Sequence, residues 1–225
     1  MCFSAGASFG ASAVLAVTGI LTLQKAENKS QYLFGAIPLF FAIQQFTEGV
    51  VWLSLSNPDY ASLHMMFVYL FLFFAQVVWP VWVPLSVLLL EQKQNRKMIL
   101  VVLTVWGSIV SLVLAFSLVY YHPVAQINSC HIQYLLTFPL STYWFSPIFY
   151  FIPTVIPLLI SGVKRMWVFG ITILLSYIIT EIFYLEFSLS VWCFFAAILS
   201  VIIYYLMNTI RQNSYPSKIK MAFEK

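Results

Sequence analysis

Charge is scarce in this sequence. Asp, Glu, Lys and Arg make up 8% of its 225 residues, whereas 62% are hydrophobic. A soluble domain carries about a quarter charged residues, so that class is excluded. Short alternating strands, the mark of a membrane barrel, are also absent; the apolar runs are continuous. No convincing internal repeat occurs, and seven runs do not divide into two inverted halves, which disfavours a secondary transporter. The first run lacks a basic n-region, so it reads as a first helix and not as a cleavable signal.

What is there is a series of windows near the ~20 residues needed to span ~30 Å of hydrocarbon. They predict an all-α, seven-transmembrane-helix bundle with helices at about 9–24, 32–56, 65–90, 98–121, 143–161, 167–187 and 189–208. Lipid offers the backbone no partners, so such runs must be helical. Pro80 and Pro84 are expected to bend the third helix in its cytoplasmic half, and Pro147, Pro153 and Pro157 to kink the fifth. On the fourth, Thr104, Gly107, Ser108, Ser111 and Ala115 form a stripe of small residues for close helix packing.

All 11 Lys and Arg fall on one side of this scheme. Lys25 and Lys29 lie in the first loop, Lys93, Arg96 and Lys97 in the third, Lys164 and Arg165 in the fifth. The others lie in the basic tail 211–225. The positive-inside rule then predicts the N-terminus outside and the C-terminus cytoplasmic. The net charge of +4 is topological and gives no nucleic-acid footprint.

Against this apolar background Glu48 and Glu181 stand inside predicted spans. Glu48 is expected ~12 Å below the outer end of the second helix and Glu181 ~9 Å below that of the sixth, so they share a level. Gln44, Gln45, Glu48 and Trp52 share one face; Tyr177, Thr180, Glu181 and Tyr184 form a stripe on another; Cys193 begins the seventh helix near the same depth. A carboxylate facing lipid costs on the order of 2–3 kcal/mol, so these faces should meet each other or a cavity. No Lys or Arg lies at membrane depth to pair with the glutamates, which leaves a shared proton or a shared cation. The bland reading is a structural hydrogen bond between a Glu and a neighbouring Gln or Tyr.

His64, His122 and His131 all fall in outer loops, with Cys130 beside His131. Glu48, Glu181 and His131 are the candidate ligands of a divalent metal, although no CxxC or HxxxH spacing supports one. Cys2 and Cys130 are candidates for a disulfide. The long outer segment 122–142 reads as a functional loop or as a lid of packing residues.

The stretches "MCFSAGASFGASAVL", "IPLFFAIQQFTEGVVWLSL", "WPVWVPLSV" and "SVWCFFAAILS" resemble a family of small bacterial integral-membrane proteins catalogued only as a domain of unknown function. The resemblance runs from the first residues to the last helix. It implies a multi-pass protein of the bacterial plasma membrane, with Cys2, Glu48, Trp79, His131 and Cys193 in its recognisable stretches, and no activity. Seven-helix hydrolases of the alkaline-ceramidase type are similar in helix number, but their helix-borne zinc histidines have no counterpart here. Microbial rhodopsins need a Lys in the last helix; there is none, which excludes retinal.

Two functional classes stay open, the first as the leading expectation and the second as its alternative. One is a membrane-embedded enzyme acting on a lipid or small molecule at the outer leaflet, with Glu48 as acid–base group or ligand, Glu181 its partner and His131 a lid-borne base. The other is a non-catalytic sensor or interaction protein that binds a lipid or small molecule through Gln44, Gln45, Tyr177, Tyr184 and Cys193. Filling the site at Gly49 would test the second. A transporter needs polar residues in both halves of the bilayer, and the cytoplasmic half offers few.

Overall fold

The computed structural model describes residues 4–136, 138 and 146–211, and these are largely helical. Helix α1 (Ala5–Leu23) opens with the Ser4 hydroxyl accepting from the Ala7 N–H. The predicted second run is split into α2 (Lys29–Gly35) and α3 (Ile37–Ser56). Pro38 falls in the first turn of α3, where its missing N–H has no partner to lose. A 3₁₀ turn (Pro58–Leu63) leads into α4 (His64–Leu72), a π-helical segment (Phe73–Val78) and α5 (Trp79–Leu90). Next come α6 (Gln94–Tyr121) and a hairpin of β1 (Val124–Asn128) and β2 (His131–Leu135). The chain ends in α7 (Ser146–Ile160), α8 (Met166–Phe183) and α9 (Ser188–Leu199), with further helix over 201–211.

Among the described residues six stretches are long and apolar enough to cross a membrane: Ala5–Leu23, Lys29–Ser56, Pro58–Leu90, Gln94–Tyr121, Met166–Phe183 and Leu185–Arg211. Pro147–Ile160 is apolar but shorter. Positions 143–145 of the expected fifth helix lie outside the described residues.

The π segment has a local cause. Pro80 brings no N–H, and in a regular helix its ring would press on the carbonyl four residues back, that of Gln76. A wider turn relieves that contact. The displaced carbonyls find side-chain donors: Tyr150 Oη gives to Ala75 O at 2.5 Å and Ser111 Oγ to Val77 O at 2.6 Å. The expected effect of Pro80 therefore falls N-terminal to it, as a change of helix type.

Small residues set the closest helix contacts. Ser8, Leu15, Gly19 and Thr22 form the buried side of α1, which packs along α3. A Cβ on Gly19 would lie 2.5 Å from Leu39 Cγ, and Ser12 Oγ donates to Ala42 O at 2.8 Å. One apolar core gathers Leu15, Phe34, Trp79, Val87, Leu100 and Met207. A second, towards the hairpin, gathers Val51, Phe71, Ile132, Tyr134 and Cys193. The segment 122–142 thus contributes core residues through a hairpin that its sequence does not announce. Asn128 pairs with His131, leaving a two-residue turn in which Ser129 takes φ 55 without a glycine.

The opposite end is tied by polar contacts. Lys25 Nζ meets Asn208 Oδ1 at 2.6 Å and Arg211 Nε meets Glu27 Oε1 at 3.1 Å. Glu91 is buried there and accepts from the backbone N–H groups of Gln92, Lys93 and Gly162.

Candidate functional site

Helix α3 carries its amides and carboxyl one turn apart, so Gln44, Glu48 and Trp52 fall on one face with Gln45 beside them. That face is turned inward: Gln44 and Gln45 are 0% exposed and Glu48 is 2% exposed. Trp79 Nε1, at the start of α5, donates to Gln44 Oε1 at 2.8 Å. The Ser190 hydroxyl, in the first turn of α9, donates to Glu48 Oε1. The Gln45 amide lies beside the Glu48 carboxyl without meeting hydrogen-bond geometry. Gln44 Nε2, both Gln45 amide atoms, Trp52 Nε1 and Tyr134 Oη have no hydrogen-bond partner among the described residues. Such groups are rarely buried without one, so this is a polar chamber inside an apolar bundle.

The hairpin closes that chamber with Tyr134. Its ring stacks on Phe71 at 4.8 Å, and burial, then the nearby Glu48 carboxyl and Cys193 thiol, push its phenol well above the ordinary value. His131 has other neighbours, its ring lying 4.7 Å from that of Phe187 and 5.4 Å from that of Tyr184. Burial holds its imidazole below the usual histidine value. His64 Nδ1 is 3.0 Å from Ser54 Oγ and His122 Nδ1 is 2.8 Å from Tyr69 Oη, so the three histidines are engaged separately.

A cavity of about 810 Å³ lies next to the chamber, at the N-terminal end of α7. The π segment, α6, α7, α8 and the start of α9 wall it, and Trp106, Ile109, Val113, Phe149 and Leu185 of its lining are exposed on the outer surface. Glu181 lines it, with Tyr177 one turn away on the same helix. Gln76 Oε1 and Trp192 Nε1, also in the lining, have no hydrogen-bond partner among the described residues. Tyr150, Trp192 and Tyr177 form a row of edge-to-face rings, with centroids 5.8 Å and 5.1 Å apart.

The two glutamates therefore occupy different compartments. Glu48 has Ser190, Gln45, Tyr134 and Cys193 around it, and Glu181 faces the cavity with Tyr177. Cys193 joins them: it lies beside the Gln44 side chain on one side and in the cavity wall on the other. Gly49 faces α1, where a Cβ would lie 2.7 Å from the Phe9 ring, so it is no place to fill either compartment. Among the described residues no group of three His, Cys, Asp or Glu converges, and Glu48, Glu181 and His131 do not form one. Cys130 is disulfide-bonded and Cys193 is free; Cys2 lies outside the described residues.

Sequence reasoning passed over Gln76, Tyr134 and Ser190. Gln76 had a signal, an amide in an apolar run just before Pro80. The other two are defined only by how distant elements pack.

The model of the "Family of unknown function (DUF6629)" matches residues 1–219. No curated protein and no solved structure matches the chain.

Proposed function

The chain belongs to this family of unknown function, and from that premise we propose that it is a membrane-embedded binding protein. It takes an amphiphilic small molecule or a lipid from the outer leaflet of a bacterial plasma membrane. The cavity of about 810 Å³ beside Glu181 carries this reading. Its volume lies in the ~300–1,000 Å³ range of small-molecule sites, and mostly apolar walls with a few polar groups are what such sites have. The reading includes seven crossings, N-terminus outside, with α7 as the short one.

Binding without chemistry is favoured over catalysis because the best acid–base candidate is sealed. Glu48 is 2% exposed and so is Ser190, its hydroxyl partner. The catalytic alternative rests on that pair, since a hydroxyl held on a carboxylate is how a nucleophile is activated.

The test is mass spectrometry of molecules co-extracted with protein purified in a mild detergent. Wild type should carry about one amphiphile per chain, and Val110→Trp and Leu189→Trp, which fill the cavity, should lose it while keeping the same elution volume and circular dichroism. Equal content in all three would sink the proposal. A chemically altered molecule on wild type, with its unaltered parent on Glu48→Gln, would favour the catalytic alternative.

A further inference from the structure

The cavity carries more information than its volume. Glu181 is the one Asp or Glu among the described residues lining it, and no Lys, Arg or His does so. A phosphate or carboxylate headgroup would find no counter-charge there. Gln76 also lines it, and its buried Oε1 has no hydrogen-bond partner among the described residues. Tyr150 and Tyr177 each meet Trp192 edge-to-face, at 73° and 68°, and Trp106 adds a fourth ring on α6. A carboxylate, a free amide oxygen and a corner of aromatic rings in an apolar enclosure are the combination that recognises an organic cation. The rings attract it through their quadrupoles.

Resting on the reading that the cavity binds an amphiphile, we propose that its ligand is a single-chain amphiphile with an amine or quaternary ammonium headgroup. The headgroup sits between Glu181, Gln76 and the Tyr150–Trp192–Tyr177 row, and the apolar chain leaves past Ile109 and Val113 of α6 towards lipid. Neither the carboxylate nor the rings require an N–H, so primary amines and quaternary ammonium ions should both bind.

The experiment is native mass spectrometry of the full chain in dodecyl maltoside, titrated with dodecyltrimethylammonium and, in parallel, with dodecyl sulfate of the same chain length. Wild type should retain the cation as a single saturable adduct and not the anion. Glu181→Gln should weaken the cation at least ~10-fold, Glu181→Asp should keep most of it, and Val110→Trp should abolish it. Equal retention of cation and anion, or no change in Glu181→Gln, would overturn the cationic headgroup. If Val110→Trp still blocks those adducts, the binding function itself stands. No retention of either amphiphile, or retention untouched by Val110→Trp, would overturn both.

Discussion

Glu48 and Glu91 are each 2% exposed, and what surrounds them differs in kind. At Glu91 burial works to raise the carboxyl's titration point. The N–H groups of Lys93, Gly162 and Gln92 and the charge of Arg96 outweigh it and hold the group below its ordinary value of 4.5. A depressed acid contributes stability above its unfolded value and loses it as pH falls through the folded one. Wild type in detergent should therefore lose melting temperature as pH drops below ~4.5. Glu91→Gln should start lower, by about 1–3 kcal/mol for the weakened charge-assisted bonds, and show a flatter acid limb. Parallel acid limbs in the two proteins would refute this. Around Glu48 the expectation is coupling, because Ser190 is its one side-chain hydrogen-bond donor among the described residues. Ser190→Ala alone should cost about 1–3 kcal/mol by leaving a buried acceptor short of a partner. In a Glu48→Ala background it should cost at least ~1 kcal/mol less, and simple additivity would mean the pair is not an energetic unit.

At the scale of elements, the contact of α6 with α5 decides the packing. A Cβ on Gly107 would lie 1.8 Å from the Pro80 carbonyl oxygen and 3.1 Å from Pro153 Cβ. Neither the proline nor its carbonyl can swing aside, so Gly107→Ala should cost about 1–3 kcal/mol or prevent assembly. Gly10→Ala on α1 meets nothing within 4 Å and should be neutral or stabilising by up to ~1 kcal/mol. Melting curves of the two variants side by side make the comparison, and similar midpoints would show that this approach of α6 is not tight. The small-residue stripe on α6 was legible because its spacing is a property of one helix. The inward face of Gln44, Gln45 and Glu48 was legible for the same reason. The π segment was not, because Pro80 advertises a disturbance without saying whether it becomes a bend or a wider turn. The hairpin was hidden because its turn uses Ser129, where Asn-Gly or Asp-Gly would have marked it. The separation of Glu48 from Glu181 was invisible for a third reason. Depth along a helix can be counted from sequence, but which helices touch sideways cannot.

For the whole molecule the open term is α7. It has 15 residues, about 22 Å of helix, against the ~30 Å of a bilayer core. If it crosses, the loops carrying Lys25, Arg96 and Lys164 share one side, as the positive-inside rule requires. If it turns back, Lys164, Arg165 and everything after α8 change their relation to the earlier loops, and the basic residues are divided between the two sides. The cavity at the N-terminal end of α7 is what a crossing helix too short for its neighbours would leave, so the proposed topology and the proposed binding site stand together. Exposed positions on either side of α7 separate the two cases. Gln126 lies on the hairpin before it and Lys164 in the loop after it, both exposed. In intact cells a membrane-impermeant maleimide should label Gln126→Cys at once and Lys164→Cys only after permeabilisation. Native Cys193 should stay silent, being buried. Labelling of both introduced cysteines from the outside would place α7 as a re-entrant segment. The even count of crossings that follows would put both termini on one side, and the lipid-facing mouth of the cavity would have to be redrawn around it.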